Sequence, residues 1–363
     1  MTEADQSQLD AVGRILAAAV TDSVPGVAGV PGLTAAVGRG PRTLACWALG
    51  QADTVTPRPV HPDTVFDLAS LTKVVATTTV TLALAGQGLI GLDDPVVKHL
   101  PAATRLAAPE VTVRQLLTHT SGLPSSVKFY EWCADRNQLL RELYAMPLEV
   151  PPGTRVAYSD LGFMMLGQMA ADVTGEPLDT LFRRLVSEPL SMADTGYLPD
   201  SPAGGTPARG FAATELRADG TPWTGVVHDE NARVMGGVAG HAGLFSTAAD
   251  LGKFAAWWTG HDDGAGPVPA ALRRESERCQ TPGLEGHRGL GWVRTGDRYD
   301  VLGETWPDSA VSHTGFTGTS LALDAPSGVW VVLLTNDVHY GRGRAAIRPL
   351  REGVHAAVAA ALL

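Results

Sequence analysis

Strand-like runs stand at both ends of this chain, and a long stretch of helical pattern separates them. Near the beginning, residues 32–37 and 43–49 are short segments bounded by glycine and proline, and a Gly-Pro turn across 38–41 joins them as a strand pair. Near the end, Ser320–Asp324 and Val329–Thr335 flank Ala325-Pro326-Ser327-Gly328, which is hairpin chemistry. Between about residues 90 and 260 the apolar spacing is helical, as over 113–118, 161–173, 178–185 and 248–258. Strands at the ends and helices in the middle imply one sheet assembled from the two termini, with a helical insertion. Leu9, Val12, Leu16 and Val20 predict an opening amphipathic helix, and a last helix is expected over about 345–361. A further helix starts at Ser70 and runs to about Ala85, where Gly86-Gln87-Gly88 is a stop signal. Residues 200–226, rich in glycine, proline, alanine and threonine, read as a long surface excursion.

The composition narrows the function. Of 363 residues, 44% are hydrophobic and 18% charged, enough apolar material for a large core without staples. The net charge of −10 leaves no basic excess to neutralise phosphates, so no nucleic-acid partner is expected. Cys46, Cys133 and Cys279 are an odd, scattered set that fits neither a disulfide framework nor a zinc site. The chain starts Met1-Thr2-Glu3-Ala4-Asp5, with Arg14 its first basic residue, unlike a secretory leader. The apolar run 356–363 is too short to span a bilayer. A cytoplasmic location without membrane contact is the expectation. His119, His228, His241 and His313 show no metal-ligand spacing, so no metal is expected, and no other cofactor is expected either; no GxSxG occurs, which disfavours a nucleophile-elbow hydrolase.

The segment richest in chemistry is Phe66-Asp67-Leu68-Ala69-Ser70-Leu71-Thr72-Lys73. Residues three apart on a helix share a face, with Cβ atoms about 5–6 Å apart. A serine hydroxyl is a weak nucleophile until a base takes its proton, and a desolvated lysine can help do so. Two distant clusters complement this pair. One is Tyr158-Ser159-Asp160, placed just before an apolar helical run; the other is Ser312-His313-Thr314-Gly315-Phe316, just before the terminal hairpin.

Taken in order, these three elements resemble the signature of the serine β-lactamase and penicillin-binding-protein superfamily. The tyrosine in the second element is similar to that of class C β-lactamases and related esterases and D-peptidases. Segments 91–96, 112–124, 240–251 and 289–292 resemble the same group, so the likeness covers roughly residues 10–355. The resemblance implies an α/β fold: an antiparallel sheet flanked by helices, built from both chain ends, with an all-helical second domain. The division it implies is 1–75 and 265–363 for the α/β part and 76–264 for the helical part. It further implies that Ser70 forms an acyl-enzyme and that Lys73 and Tyr158 share the proton transfers. The backbone N–H groups of Ser70 and Phe316 would form an oxyanion hole, with Asp160, His313, Gly315 and Phe316 facing the substrate.

Two departures from the β-lactamase pattern bear on substrate choice. Asp160 stands where class C enzymes have asparagine, and His313 stands where they have lysine. Histidine supplies no permanent cation for a substrate carboxylate, and an ionised aspartate cannot donate to a substrate carbonyl. Both favour an esterase or amidase acting on a small-molecule or peptide-like acyl substrate over efficient β-lactam hydrolysis. A D-peptidase or weak β-lactamase, or an acyl- or peptidyl-transferase of secondary metabolism, is the alternative. Asp160 is expected either to lie beside Lys73 and raise its pKa, so that Lys73 in turn lowers that of Tyr158, or to cap the helix that follows.

Overall fold

The computed structural model describes residues 3–21, 29–100, 102–103, 109–197, 210–260, 266–343 and 346–363. In chain order its elements are α1 (Glu3–Thr21), β1 (Gly32–Arg39), β2 (Arg42–Asp53), β3 (Arg58–Pro59) and β4 (Phe66–Asp67). Then come α2 (Thr79–Gly86), α3 (Val96–His99), α4 (Val113–Leu117), α5 (Arg136–Tyr144), α6 (Asp160–Thr174), α7 (Leu178–Phe182) and β5 (Gly196–Tyr197). The chain continues through α8 (Glu230–Val234), β6 (Leu244–Ser246), α9 (Ala248–Thr259), α10 (Ala270–Glu277) and β7 (Val293–Arg294). It closes with β8 (Val311–Thr314), β9 (Ser320–Asp324), β10 (Val329–Thr335) and α11 (Ile347–Leu362).

The two ends do form one sheet. Its strand order is β3-β2-β1-β10-β9-β8-β7, antiparallel throughout, and the ends meet where β1 pairs β10 in the register Leu33↔Thr335 to Arg39↔Val329. Strand β10 is buried along its whole length, which explains why its sequence is a continuous apolar run rather than an alternation. Leu33, Ala35 and Val37 face one side of the sheet, where Val12 and Leu16 of α1 and Val354 and Val358 of α11 cover them. Ala36, Val332 and Leu334 face the other side and join a core that continues into the helical body. Helix α9 lies on that inner face against β1 and β10, so this core draws on all three chain segments.

Several expectations need adjustment. Strand β2 runs on to Asp53: its pairing with β1 ends at Gly50, a glycine at φ +79°, and Gln51 and Asp53 then pair β3. The helix expected from Ser70 is three conformations in series: a 3₁₀ turn at Ala69–Leu71, a π-helical stretch at Lys73–Thr78, then α2. The surface excursion is partly wrong, since Phe211, Ala212, Ala213 and Thr214 are buried, with Phe211 bridged to Val65. Residues 200–209 of that stretch, and Arg344 and Ala345, lie outside the described residues.

Candidate active site

Ser70 and Lys73 sit where the chain leaves β4 and enters the most deeply buried helical stretch of the molecule. Val74, Val75, Val80, Leu82 and Leu84 are all buried there. By length and composition the helical stretch Ala69–Gly86 could cross a membrane, but 83% of it is buried inside the protein. A lysine in such a place needs partners, because an unpaired buried charge is costly. Lys73 Nζ donates to Ser70 Oγ at 2.9 Å and to the His241 carbonyl at 3.0 Å, and pairs with Asp160 at 2.7 Å. Its ammonium also lies 5.0 Å from the centre of the Tyr158 ring. The π-helical winding here follows a common association of such irregularities with functional sites.

The loop that supplies the lysine's carbonyl partner is pressed onto α6. A Cβ at Gly240 would lie 2.0 Å from the Phe163 carbonyl oxygen, so only glycine lets the loop approach this closely. The Gly240 carbonyl then accepts from Thr77 at 2.6 Å, one turn beyond Lys73.

Tyr158 and Asp160 are delivered by a second irregular segment, organised by His119. His119 is itself left-handed at φ +58°. Its carbonyl accepts from Ala157 N at 2.8 Å, and its Nδ1 accepts from Ser159 N at 3.0 Å. Ser159, rather than Asp160, is the N-cap of α6, its hydroxyl accepting from Gly162 N. The Asp160 side chain is therefore released to face Lys73. Of the two roles expected for Asp160, the charged one is the one the structure adopts.

The third element comes from the opposite side. His313 and Thr314 end β8, and a tight turn closes with Gly315 N donating to the Thr319 carbonyl at 2.8 Å. Gly315 has a steric reason: a Cβ there would meet the Leu68 carbonyl oxygen at 2.4 Å and Thr319 Oγ1 at 2.1 Å. Thr317 and Thr319 donate to the carbonyls of Asp67 and Leu68, tying this turn to the residues just before Ser70. Phe316 turns its ring outward, 56% exposed, and stacks on His228 with centroids 5.7 Å apart.

Together Ser70, Tyr158, His313, Thr314, Gly315 and Phe316 line a cavity of about 290 Å³. Of the expected site residues, Lys73 and Asp160 do not line the cavity: Lys73 reaches it through Ser70, and Asp160 through Lys73. Four residues that the sequence did not single out in this role belong to the same neighbourhood. Arg288 and Tyr299 line the cavity beside Tyr158, with the Tyr299 ring 5.4 Å from that of Tyr158. Arg351, on α11, donates to the Gly315 and Thr319 carbonyls at 2.7 and 2.9 Å. His119 is the fourth. His119 and Arg288 had nearby cues, the first standing within segment 112–124 and the second directly before the Gly-Leu-Gly-Trp of 289–292. Trp258 and Trp292 are core, stacked edge to face and fully buried. The His241 ring turns to Asp229 at 2.8 Å and contributes its carbonyl instead.

Burial and charge pull against each other at this site. Burial disfavours the charge on Lys73, but the Asp160 carboxylate and the Tyr158 phenol outweigh it and push its pKa up to about 12. Burial raises the Tyr158 phenol, and the adjacent ammonium offsets this without reversing it. The expected lowering of the tyrosine is thus corrected: desolvation outweighs the attraction. Burial, reinforced by Lys73 and Arg288, drives His313 down to about 3, so its ring is neutral. Its Nδ1–H donates to the Thr314 carbonyl at 2.9 Å, leaving the buried Nε2 as an acceptor that meets no partner among the described residues.

Comparison with known proteins agrees with this geometry. The chain matches the Beta-lactamase family over residues 18–355. It is 31% identical over 312 residues to an N-acetylmuramyl-L-alanine amidase of Bacillus subtilis, covering 78% of this chain and 70% of that protein. It is 31% identical over 308 residues to a putative D-alanyl-D-alanine carboxypeptidase of Escherichia coli K12, covering 76% and 70%. Among solved structures, EstCE1, a hydrolase with promiscuous acyltransferase activity, superposes with a TM-score of 0.75 at 24% identity, over 98% of this chain and 100% of that one. A class C β-lactamase from Rhodobacter sphaeroides gives 0.70 at 21%, over 97% of each chain. With its antiparallel sheet, its flanking helices and its ordered three-part site, this chain belongs to the beta-lactamase family of serine hydrolases.

Proposed function

We propose that the protein is a carboxylesterase-like hydrolase that cleaves an ester or amide of a neutral small-molecule or peptide-like acyl group through an acyl-enzyme on Ser70. The observation that carries this is the Ser70 hydroxyl held 2.9 Å from Lys73 at a cavity that it lines together with a neutral His313. Ser70 Oγ attacks the carbonyl carbon, its proton leaves to the Tyr158–Lys73 pair, and the N–H groups of Ser70 and Phe316 receive the oxyanion. Lys73 rests as an ammonium and Tyr158 as a phenol raised by burial, so the pair accepts the serine's proton only after Tyr158 has lost its own to solvent, a step that rising pH favours. The leaving group takes the proton back, and water releases the acid by the reverse path.

Substrate class follows from the charges. Of the two arginines lining the cavity, Arg288 pairs with Asp297 at 2.9 Å through one nitrogen and leaves Nε and Nη1 without a hydrogen-bond partner among the described residues, and Arg351 serves backbone carbonyls. His313 is neutral. The position that holds a lysine in the class C pattern thus offers no cation to the carboxylate of a penicillin or of a D-Ala-D-Ala terminus, which weighs against the peptidase activity suggested by the names of the curated relatives. The test is turnover of an activated short-chain ester by Ser70→Ala and Lys73→Ala, with intact-mass detection of an acyl adduct on the wild type. Both variants are expected to lose nearly all activity. Retention of more than about a tenth of kcat/KM by Ser70→Ala, a loss under about 1.4 kcal/mol, would overturn the reading.

A further inference from the structure

Ala69, the residue before the nucleophile, is left-handed at φ +46°. For a residue with a Cβ this costs about 1–2 kcal/mol, and such strain persists only where the surroundings impose it. The imposing group is Asp67. Its Oδ1 accepts from Ala69 N at 2.8 Å, closing a turn over Leu68. Its Oδ2 accepts from His228 N at 2.6 Å, 161 residues along the chain. Its carbonyl takes Thr317 at 2.7 Å, while Leu68 N donates to the Leu244 carbonyl at 2.9 Å. The carboxylate is only 2% exposed and is held on both oxygens by main-chain donors, so it cannot swing away.

We propose that Asp67 is a positioning residue: its buried carboxylate holds Ala69 in the left-handed conformation and so aims the Ser70 hydroxyl at Lys73 and the Ser70 N–H into the cavity. Only Leu68 separates β4 from the 3₁₀ turn, and the left-handed Ala69 is the first residue of that turn. Without the Oδ1 bond, Ala69 relaxes to negative φ and carries Ser70 with it. A displacement on the order of 1 Å at a reacting atom costs about 100-fold in rate. The inference rests on Ser70 being the nucleophile and adds what orients it.

The test compares Asp67→Ala, Asp67→Ser, Ala69→Gly and the double variant Asp67→Ala/Ala69→Gly in ester hydrolysis, with rates normalised to folded protein by near-ultraviolet circular dichroism. A serine at 67 can still accept from Ala69 N but cannot reach His228, whereas glycine at 69 adopts positive φ without a brace. Asp67→Ala should lose about 10- to 100-fold in kcat with KM within about threefold, and Asp67→Ser should lose much less. Adding Ala69→Gly to Asp67→Ala should recover most of the lost kcat. A loss confined to KM, equal losses in the serine and alanine variants, or no recovery in the double variant would each overturn the inference. Should Asp67→Ala not fold, the serine variant and its double with Ala69→Gly carry the comparison. Ser70→Ala, run alongside, separates the two readings: an active Ser70→Ala defeats the proposed function, while a flat Asp67 series beside a dead Ser70→Ala defeats only the positioning role.

Discussion

At the scale of single residues, the chemistry turns on two substitutions relative to the β-lactamase pattern. Asp160 raises both neighbours: its charge favours the Lys73 ammonium and disfavours the Tyr158 phenolate. Replacing it by asparagine removes both effects in the same sense. The kcat/KM profile of Asp160→Asn should therefore move to lower pH by about half a unit or more. Ser159 keeps capping α6, so a lost cap cannot produce the shift. An unmoved profile would show that Asp160 serves only the helix. The neutral His313 ring makes a second expectation: kcat/KM for penicillins and cephalosporins should fall well below that for a simple neutral ester. A cephalosporin turned over near 10⁷ M⁻¹s⁻¹, on the order of the diffusional range, would contradict it.

At the scale of elements, the site is a meeting of irregular segments rather than of regular ones. The turn after β8 is pinned to the residues before Ser70 by Thr317 and Thr319 and held from behind by Arg351. Gly315→Ala drives a methyl group into the Leu68 carbonyl and should cost about 1–3 kcal/mol in denaturant unfolding. Because the clash pushes the turn away from Ser70, kcat should fall with it. A variant that loses stability but keeps full kcat would show that the turn does not set the serine's position. Ser159→Ala should remove about 1 kcal/mol through the lost cap and loosen the Tyr158 segment, since the Ser159 hydroxyl also donates to the Pro124 carbonyl at 2.6 Å.

At the scale of the whole molecule, burial of titratable groups sets the response to acid. Burial lowers His119, His313 and His355, the last two to about 3, from an ordinary value of 6.5. A histidine lowered on folding adds stability above about pH 6.5 that is lost as pH falls toward 3. Asp67 and Glu277, the latter raised by burial to about 7, act in the opposite sense but are outnumbered. The melting temperature should thus drop steadily between pH 7 and pH 4.5 in calorimetric scans. A flat or rising trend would mean that the histidines are protonated in the native state.

The sequence by itself determined that the sheet draws strands from both chain ends, though not its β3, β7 and β8, as well as the order of the three site elements and the departures at Asp160 and His313. Periodicity, turn residues and side-chain type are local properties, so β1, β9, β10 and α6 could be read within a few residues. Only the tertiary structure decided that Tyr158 is raised rather than lowered, because desolvation depends on what packs around a ring and not on its neighbours in sequence. The same holds for Tyr299 and Arg351, which stand in none of the family-like segments, and for His119 and Arg288, within or beside segments 112–124 and 289–292 that gave no sign of this role. Each reaches the site through a fold that brings residues roughly 50 to 280 positions from Ser70 into its neighbourhood. The left-handed Ala69 belongs there too: alanine carries no local signal for positive φ, and the carboxylate that imposes it is fixed by a backbone donor from the far side of the chain.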